Sequence, residues 1–545
     1  MNKNFIKTCF FAALALLCAS ATAQISHGGA PMLNREADGL HALVLERIDN
    51  QKLLDEDMTL GKGHALRVGV RQEAYLNNRT EGTTTRMEDG TRVWQSAILS
   101  PGATHLSLNF SRFNLAEGAQ LFVYDQSGDF VIGAFTSENR MEDGTFYTQS
   151  IPGEQAIIEL VEPAEVAGQS HITIDHIIHG YKTLPLFEEL QAKGQHGSSD
   201  GNCHINVICP DGDDWRDQIR SVVCIEIVAG GYAFMCTGSL LNNTAQDRTP
   251  YVLSAYHCQN LGQYGNITQW KFYFNYQTSA CNNNYGSTGN SMTGCDIVAK
   301  YKTSGGSDML LLKLKNNVPD SYKPYYAGWD RRTSALTKGV CIHHPGGDYK
   351  KISFPEQVGS NDNNYIVAWW YKGTNNKGVT EGGSSGSPLF NSYKRVIGQL
   401  YGGASECGAA DNAMYDLYGK VSTSWTGGNT TASRLSDWLD PTGSGVQYID
   451  GLDYKDPDPV AISEATASPL RLYPNPTSGM VYLDVDVLGE ASYKVYSLDG
   501  RCALEGSTIL TSTAQAVNLS SLPRGAYRLV LFTSDKAYSA GVIIQ

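Results

Sequence analysis

Positive charge is in short supply. Lys and Arg total 42 against 55 Asp and Glu, a formal net charge of -13, and no long basic run offsets the deficit. A surface of that sign repels phosphate backbones, so nucleic acid is excluded as a partner. Long apolar runs are equally scarce. The one at the N-terminus, Cys9 to Cys18, follows Lys3 and Lys7 and precedes Ala21-Thr22-Ala23. A basic start, a short apolar stretch and small residues before a cut mark a secretory signal peptide, cleaved before Gln24. That run is too short to span a bilayer, and the bulky Leu17 before Cys18 argues against lipid attachment. No second stretch has the length of a membrane span. CxxC pairs are absent and cysteine spacings are irregular, which excludes the usual zinc frameworks. Residues 24–193 hold no cysteine at all, and all but one of those left after processing lie between Cys203 and Cys407. In an exported chain such clustering points to structural disulfides.

What is present is organised into several pieces, and 545 residues suggest about three or four domains. Residues 24–193 read as an all-β module: Val93 to Leu99, Leu121 to Tyr124 and Ala156 to Val161 are strand-like runs. Asp89-Gly90, Ser127-Gly128 and Asp143-Gly144 punctuate them as turns. Arg86-Met-Glu-Asp-Gly-Thr91 recurs as Arg140-Met-Glu-Asp-Gly-Thr145. One recurrence is two similar hairpin turns or a faint duplication, not a solenoid. Gln191 to Asp200 is small and polar, an exposed and cleavable linker with Lys193 as its most attractive cut. Residues 194–455 are rich in Gly, Asn, Tyr and Trp, with strands at Met309 to Leu314 and Val396 to Leu400 and one late helix around Ala432 to Trp438. That pattern suits a double β-barrel. Residues 456–468 form a stiff charged linker, and 469–545 alternate as a small antiparallel sandwich.

The middle segment carries the chemistry. Gly382-Gly383-Ser384-Ser385-Gly386-Ser387-Pro388 sets a serine between glycines, which reach backbone conformations closed to other residues. Ser385 is the candidate nucleophile, and the amides of Gly383 and Ser385 are candidates for an oxyanion hole. A nucleophilic serine needs a base and a carboxylate that orients the base. His257 is the candidate base: in Leu253-Ser-Ala-Tyr-His-Cys258 it follows a strand and borders a cysteine that a bridge to Cys236 would clamp. Asp308, at the head of the apolar strand Met309 to Leu314, is the candidate carboxylate, since a buried charge needs a partner such as imidazole. The order His257, Asp308, Ser385 is that of the chymotrypsin class.

Residues 203–454 further resemble bacterial lysyl endopeptidases, secreted serine proteases of trypsin-like fold. The resemblance rests on Cys203-His-Ile-Asn-Val-Ile-Cys-Pro-Asp-Gly212, Cys236-Thr-Gly-Ser-Leu-Leu-Asn-Asn-Thr244, Ala327-Gly-Trp-Asp-Arg-Arg332 and Ile342-His-His-Pro345. It continues through Gly378 to Pro388, Arg395 to Leu400, Ser422 to Gly428 and Ala432 to Pro441. It implies the same triad, no cofactor and no metal, with His343 and His344 structural. A pocket for lysine needs a buried carboxylate to offset lost ammonium hydration. Six residues before the nucleophile, where pancreatic relatives carry it, stands Val379. The resemblance instead implies Asp416, in Asp416-Leu-Tyr-Gly-Lys-Val421, with Asp411 and Glu381 as competitors. Tyr401 stands where the family often has histidine and could cover the lysine stem. The implied disulfides are Cys203–Cys407, Cys209–Cys281 and Cys236–Cys258. Cys224, Cys295 and Cys341 leave room for one further bridge, and Cys502 is an odd thiol.

Tyr473-Pro-Asn-Pro-Thr-Ser-Gly479, Val495-Tyr-Ser-Leu-Asp-Gly500 and Leu522-Pro-Arg-Gly-Ala-Tyr527 resemble the C-terminal sorting domain of type IX secretion. This implies that secretion machinery as a partner and export through the periplasm to the surface or medium. The expectation is then a mainly β protein: a trypsin-like double β-barrel protease flanked by a β-sandwich propeptide and a β-sandwich sorting domain. The N-terminal module reads first as a propeptide that covers the site or assists folding, and second as a carbohydrate- or protein-binding sandwich. The expected activity is that of a monomeric zymogen cutting peptide bonds after lysine. Arg or Glu preference, or a silent adhesin on a protease scaffold, are the alternatives.

Overall fold

The structure, a computed structural model, describes residues 29–33, 39–60, 64–184, 203–259, 267–281, 290–333, 338–371, 377–455, 468–484, 489–497, 502–511, 515–533 and 537–545. The expected signal peptide, the linker around Lys193 and nearly all of the 456–468 linker lie outside them. Two compact units emerge, Met1–Asp456 and Pro457–Gln545.

The chain is mainly β. Near the N-terminus Arg92–Leu99, Gln155–Glu162, Gln120–Asp125 and Val131–Phe135 form one sheet, flanked by Ala42–Val44. Its apolar side chains meet those of Leu66–Asn77, His105–Asn114 and His171–Gly180, with Trp94, Phe110, Phe113 and Phe146 in the shared core. Expected strands at 93–99, 121–124 and 156–161 fall within observed ones. The repeated hexapeptide proves to be one turn used twice. Met87 N donates to Thr91 O and Gly90 N to Met87 O; Met141 N and Gly144 N repeat the pattern with Thr145 O and Met141 O. In each copy the aspartate caps the following threonine amide, and both glycines have positive φ, 87° and 81°.

The middle segment builds two half-barrel sheets. In the first, Val222–Ala229, Tyr232–Leu241, Tyr251–Ala255, Cys295–Tyr301 and Met309–Leu314 pair antiparallel around Ile225, Leu240, Phe272 and Leu312. In the second, Val340–His343, Pro388–Phe390, Val396–Gly403, Tyr415–Lys420 and Tyr365–Trp370 run in order around Ile366, Trp370, Leu389 and Tyr418. The late helix is shorter than expected. Only Ser436–Leu439 is helical there, and Val421–Thr426 forms another helix upstream. Between them Ser433 Oγ donates to Gly427 O and accepts from Thr430 N, local side-chain bonds that compete with the helical ladder.

The N-terminal sandwich and the first half-barrel share one sheet. Leu66–Asn77 adds antiparallel to Tyr232–Leu241, with Val70 opposite Tyr232 and Leu66 opposite Met235. Beneath this seam the buried Glu226 carboxylate accepts from Tyr273 (2.6 Å) and Tyr147 (3.2 Å). Burial raises its pKa and pushes that of the neighbouring Lys271 down to about 7.

The second unit packs a five-stranded sheet, centred on Gly525–Phe532 and Gly489–Ser497, against Arg471–Tyr473, Met480–Asp484 and Gln515–Asn518. Val481, Val495, Leu529, Leu531 and Val542 fill the space between. No helix among the described residues is long and apolar enough to cross a membrane.

Candidate active site

The strand Tyr251–Ala255 ends in a single 3₁₀ turn, Tyr256–Cys258, that carries His257. The disulfide Cys236–Cys258 ties this turn to the neighbouring strand. Asp308 precedes the strand Met309–Leu314, which pairs with Tyr251–Ala255. The adjacency of these two strands is what brings base and carboxylate together across 51 residues of sequence. His257 Nδ1 lies 2.7 Å from Asp308 Oδ2, and the His257 amide donates to Asp308 Oδ1 at 3.1 Å. Thr303 Oγ1 also donates to Oδ1. Asp308 is wholly buried and has φ +54°.

Ser385 lies beside this pair. Its carbonyl accepts from Thr237 N at 2.8 Å and is 3.9 Å from Cys258 Sγ. His257 Nε2 is buried and has no hydrogen-bond partner among the described residues, so the Ser385–His257 hydrogen bond is not made in this state. Catalytic hydrogen bonds commonly tighten only when substrate binds. Gly383 has φ +89°. Among the described residues the amides of Gly383 and Ser385 have no acceptor, whereas Ser384 N, between them, donates to Glu381 O and Gly386 N, after them, donates to Leu400 O. Two buried N–H groups left open beside a serine form the donor pair that an oxyanion hole needs.

The loop is braced from below. His343 Nδ1 meets Ser384 Oγ at 2.7 Å and its Nε2 meets Ser353 Oγ at 2.8 Å. His344 Nδ1 faces Asp348 O, and burial holds its pKa well below the ordinary value. Both nitrogens of His343 and Nδ1 of His344 thus face protein groups, while His344 Nε2 is buried without a partner among the described residues. The one His/Cys cluster of metal-ligating geometry among the described residues is Cys203, His204 and Cys407. Its two sulfurs are joined to each other in a disulfide, so it offers no thiolates.

Gly386 is where conformation and packing both demand glycine. At φ +84° a Cβ would stand 2.3 Å from Ser254 Oγ and 2.4 Å from Thr237 O. Gly386→Ala is expected to destabilise the fold by about 2–5 kcal/mol, strain and overpacking together. A fall in melting temperature measures it, and an unchanged melting temperature would contradict this packing.

Asp416 faces away from solvent on Tyr415–Lys420, between Tyr365–Trp370 and Val396–Gly403. Its Oδ2 accepts from Trp370 Nε1 (2.7 Å), Thr380 Oγ1 (2.6 Å) and Ser405 Oγ (2.5 Å). Three donors on one oxygen satisfy a polar group that has no access to water. Val379 is fully buried in the apolar core. Glu381 is engaged by Cys407 N and His204, and Asp411 is exposed. The Tyr401 ring lies edge-on to His257, centroids 6.0 Å apart, and against Tyr365 at 5.5 Å. Disulfides Cys203–Cys407, Cys209–Cys281 and Cys236–Cys258 are formed as expected, while Cys224, Cys295, Cys341 and Cys502 remain thiols. The sequence had not singled out Thr303, Trp370, Thr380, Ser405 or Thr237, none of which lies in a pattern that announces chemistry.

Residues 197–419 match the family described as lysyl endopeptidase, C-terminal domain. Residues 471–545 match the secretion system C-terminal sorting domain, so the chain is exported, to the cell surface or the medium. A lysyl endopeptidase of Pseudomonas aeruginosa is 30% identical over 300 residues, which cover 51% of this chain and 61% of that protein. The chain therefore spans about three-fifths of that relative's length. Among solved structures, a Glu endopeptidase in complex with MPD is 16% identical (TM-score 0.26, 40% of this chain and 92% of that one). A thermostable serine protease, AL20, from an extremophilic microorganism is 14% identical (TM-score 0.28, 37% and 90%).

Proposed function

We propose that the chain is an exported serine endopeptidase that cuts peptide bonds on the carboxyl side of lysine. The observation that carries the reading is the buried Asp308–His257 pair beside a serine whose loop leaves two amides open. In this reading His257 takes the Ser385 proton as the hydroxyl attacks the scissile carbonyl, then returns it to the leaving amine. Asp308 orients the imidazole and stabilises its cationic form. The Gly383 and Ser385 amides stabilise the oxyanion of the tetrahedral intermediate, and water then hydrolyses the acyl-enzyme. Asp416 supplies the fixed negative charge that compensates a lysine ammonium for its lost water, and the matched family supports that assignment.

The N-terminal sandwich acts as a propeptide in this scheme. It is supported by the strand Leu66–Asn77 on the edge of Tyr232–Leu241 and by Leu66, whose Cδ1 lies 3.3 Å from where a Cβ on Gly382 would stand. A strand laid against the serine loop obstructs the path of an extended substrate. Mass spectrometry of a protein mixture digested by the purified enzyme is expected to show new C-termini almost entirely at lysine. Predominant arginine or glutamate termini would overturn the lysine assignment, and an absence of cleavage with Ser385 unlabelled by an organophosphonate would overturn the protease.

A further inference from the structure

We propose that Thr303 is a positioning residue for this reaction: its hydroxyl anchors the Asp308 carboxylate and, through it, the orientation of the His257 imidazole. The proposal rests on the reading of His257, Asp308 and Ser385 as a catalytic triad.

A carboxylate with no access to water must find its donors within the protein. Among the described residues Asp308 has three. Two belong to His257 itself, Nδ1 on Oδ2 at 2.7 Å and the backbone amide on Oδ1 at 3.1 Å. Those two move with the residue that the carboxylate has to orient. Thr303 Oγ1, on Oδ1 at 2.5 Å, is the side-chain donor that comes from elsewhere, so it can fix the carboxylate against rotation independently of the imidazole.

Thr303 is in turn held in place. Its carbonyl accepts from Tyr365 Oη at 3.3 Å and from Gly306 N at 3.4 Å. The Tyr365 ring backs Tyr401, and Tyr401 lies edge-on to His257. Threonine, carboxylate, imidazole and two tyrosines thereby close a ring of contacts that passes through Asp308 and His257. The turn that carries Asp308 also needs such a tie. At φ +54° an aspartate occupies a sparsely populated conformation, which persists only when surrounding contacts over-determine it.

Substrate binding does not depend on the angle of the imidazole, but proton transfer does. The loss of one hydrogen bond to a charged group is therefore expected in kcat and not in KM. Thr303→Val keeps the branched shape and removes the donor. On a lysyl p-nitroanilide its kcat should fall about 10–100-fold with KM within about twofold, and Thr303→Ser should recover kcat to within about threefold. In parallel, the downfield proton resonance of His257 Nδ1, read without substrate, should shift or broaden in the valine variant and return with serine. An undiminished kcat with valine, or a serine variant as impaired as valine, overturns the proposal. If the valine variant does not fold, Thr303→Ala against Thr303→Ser is the deciding pair, and equal activity of the two overturns it. If the parent cleaves nothing, it is the triad reading that fails. The proton resonance then still reports the anchor, and a resonance indifferent to all three substitutions refutes it.

Discussion

Ser385→Ala is expected to lower kcat on lysyl esters and amides by about a million-fold while leaving the protein folded. The magnitude follows from what the hydroxyl does. Without it no acyl-enzyme forms, and an imidazole with nothing to deprotonate contributes little. What persists is the ability of the open amides and the pocket to bind a carbonyl and polarise it, about a thousand-fold over water in comparable sites. Ser385 is almost completely buried, and its backbone carbonyl rather than its side chain carries the bond from Thr237, so truncation at Cβ disturbs no structural hydrogen bond. His257→Ala should be about as damaging and not additive with it, because the two act as one unit. Titration with an organophosphonate checks the assignment: stoichiometric labelling of the parent, none of the alanine variant. Activity retained in pure Ser385→Ala protein would remove Ser385 from the mechanism.

The proposed triad is legible in the sequence because each member sits in a local pattern with a chemical reason. Ser385 lies between glycines, His257 beside a cysteine at a strand end, and Asp308 at the head of an apolar strand. The residues that support them are not local. Trp370 reaches Asp416 because Tyr365–Trp370 pairs with Tyr415–Lys420 so that Ala368 stands opposite Asp416, and register of that kind has no signature in either strand alone; Thr380 reaches the same oxygen from the loop that precedes Ser385. Thr303 is a polar turn residue like many others until the turn that follows it brings its hydroxyl onto Asp308. The fold shows the same division. Alternating and apolar runs gave the strands at 92–99, 120–125 and 309–314, since side-chain period is a local property. The shared sheet across the N-terminal and middle segments was not foreseeable, because an edge strand of one module accepts a partner from the other through backbone groups alone. The helix around Ala432 failed where Ser433 and Thr430 bonded locally instead of continuing the ladder.

Asp416→Asn is expected to cost lysine substrates about 100- to 10,000-fold in kcat/KM, the span that corresponds to an ammonium buried without its counter-charge. The same change should matter far less for a substrate with a neutral side chain at that position, so the ratio of the two, and not either rate, is the diagnostic quantity. Asparagine is close to isosteric, and its carbonyl oxygen can take the place of Oδ2 beneath Trp370, Thr380 and Ser405. The pocket's shape is thereby kept while its charge is removed. Those three donors also explain why the residue is aspartate and not a longer acid. They fix one oxygen from three directions on a short side chain, so that in the proposed reading the group offered to the lysine ammonium has a defined position before any substrate arrives. Removing a donor should then weaken selectivity without abolishing it. Ser405→Ala, which deletes one of three bonds to Oδ2, is expected to lose about tenfold in the same ratio. If Asp416→Asn leaves the preference for lysine intact, the selecting charge lies elsewhere, and the triad assignment stands unaffected.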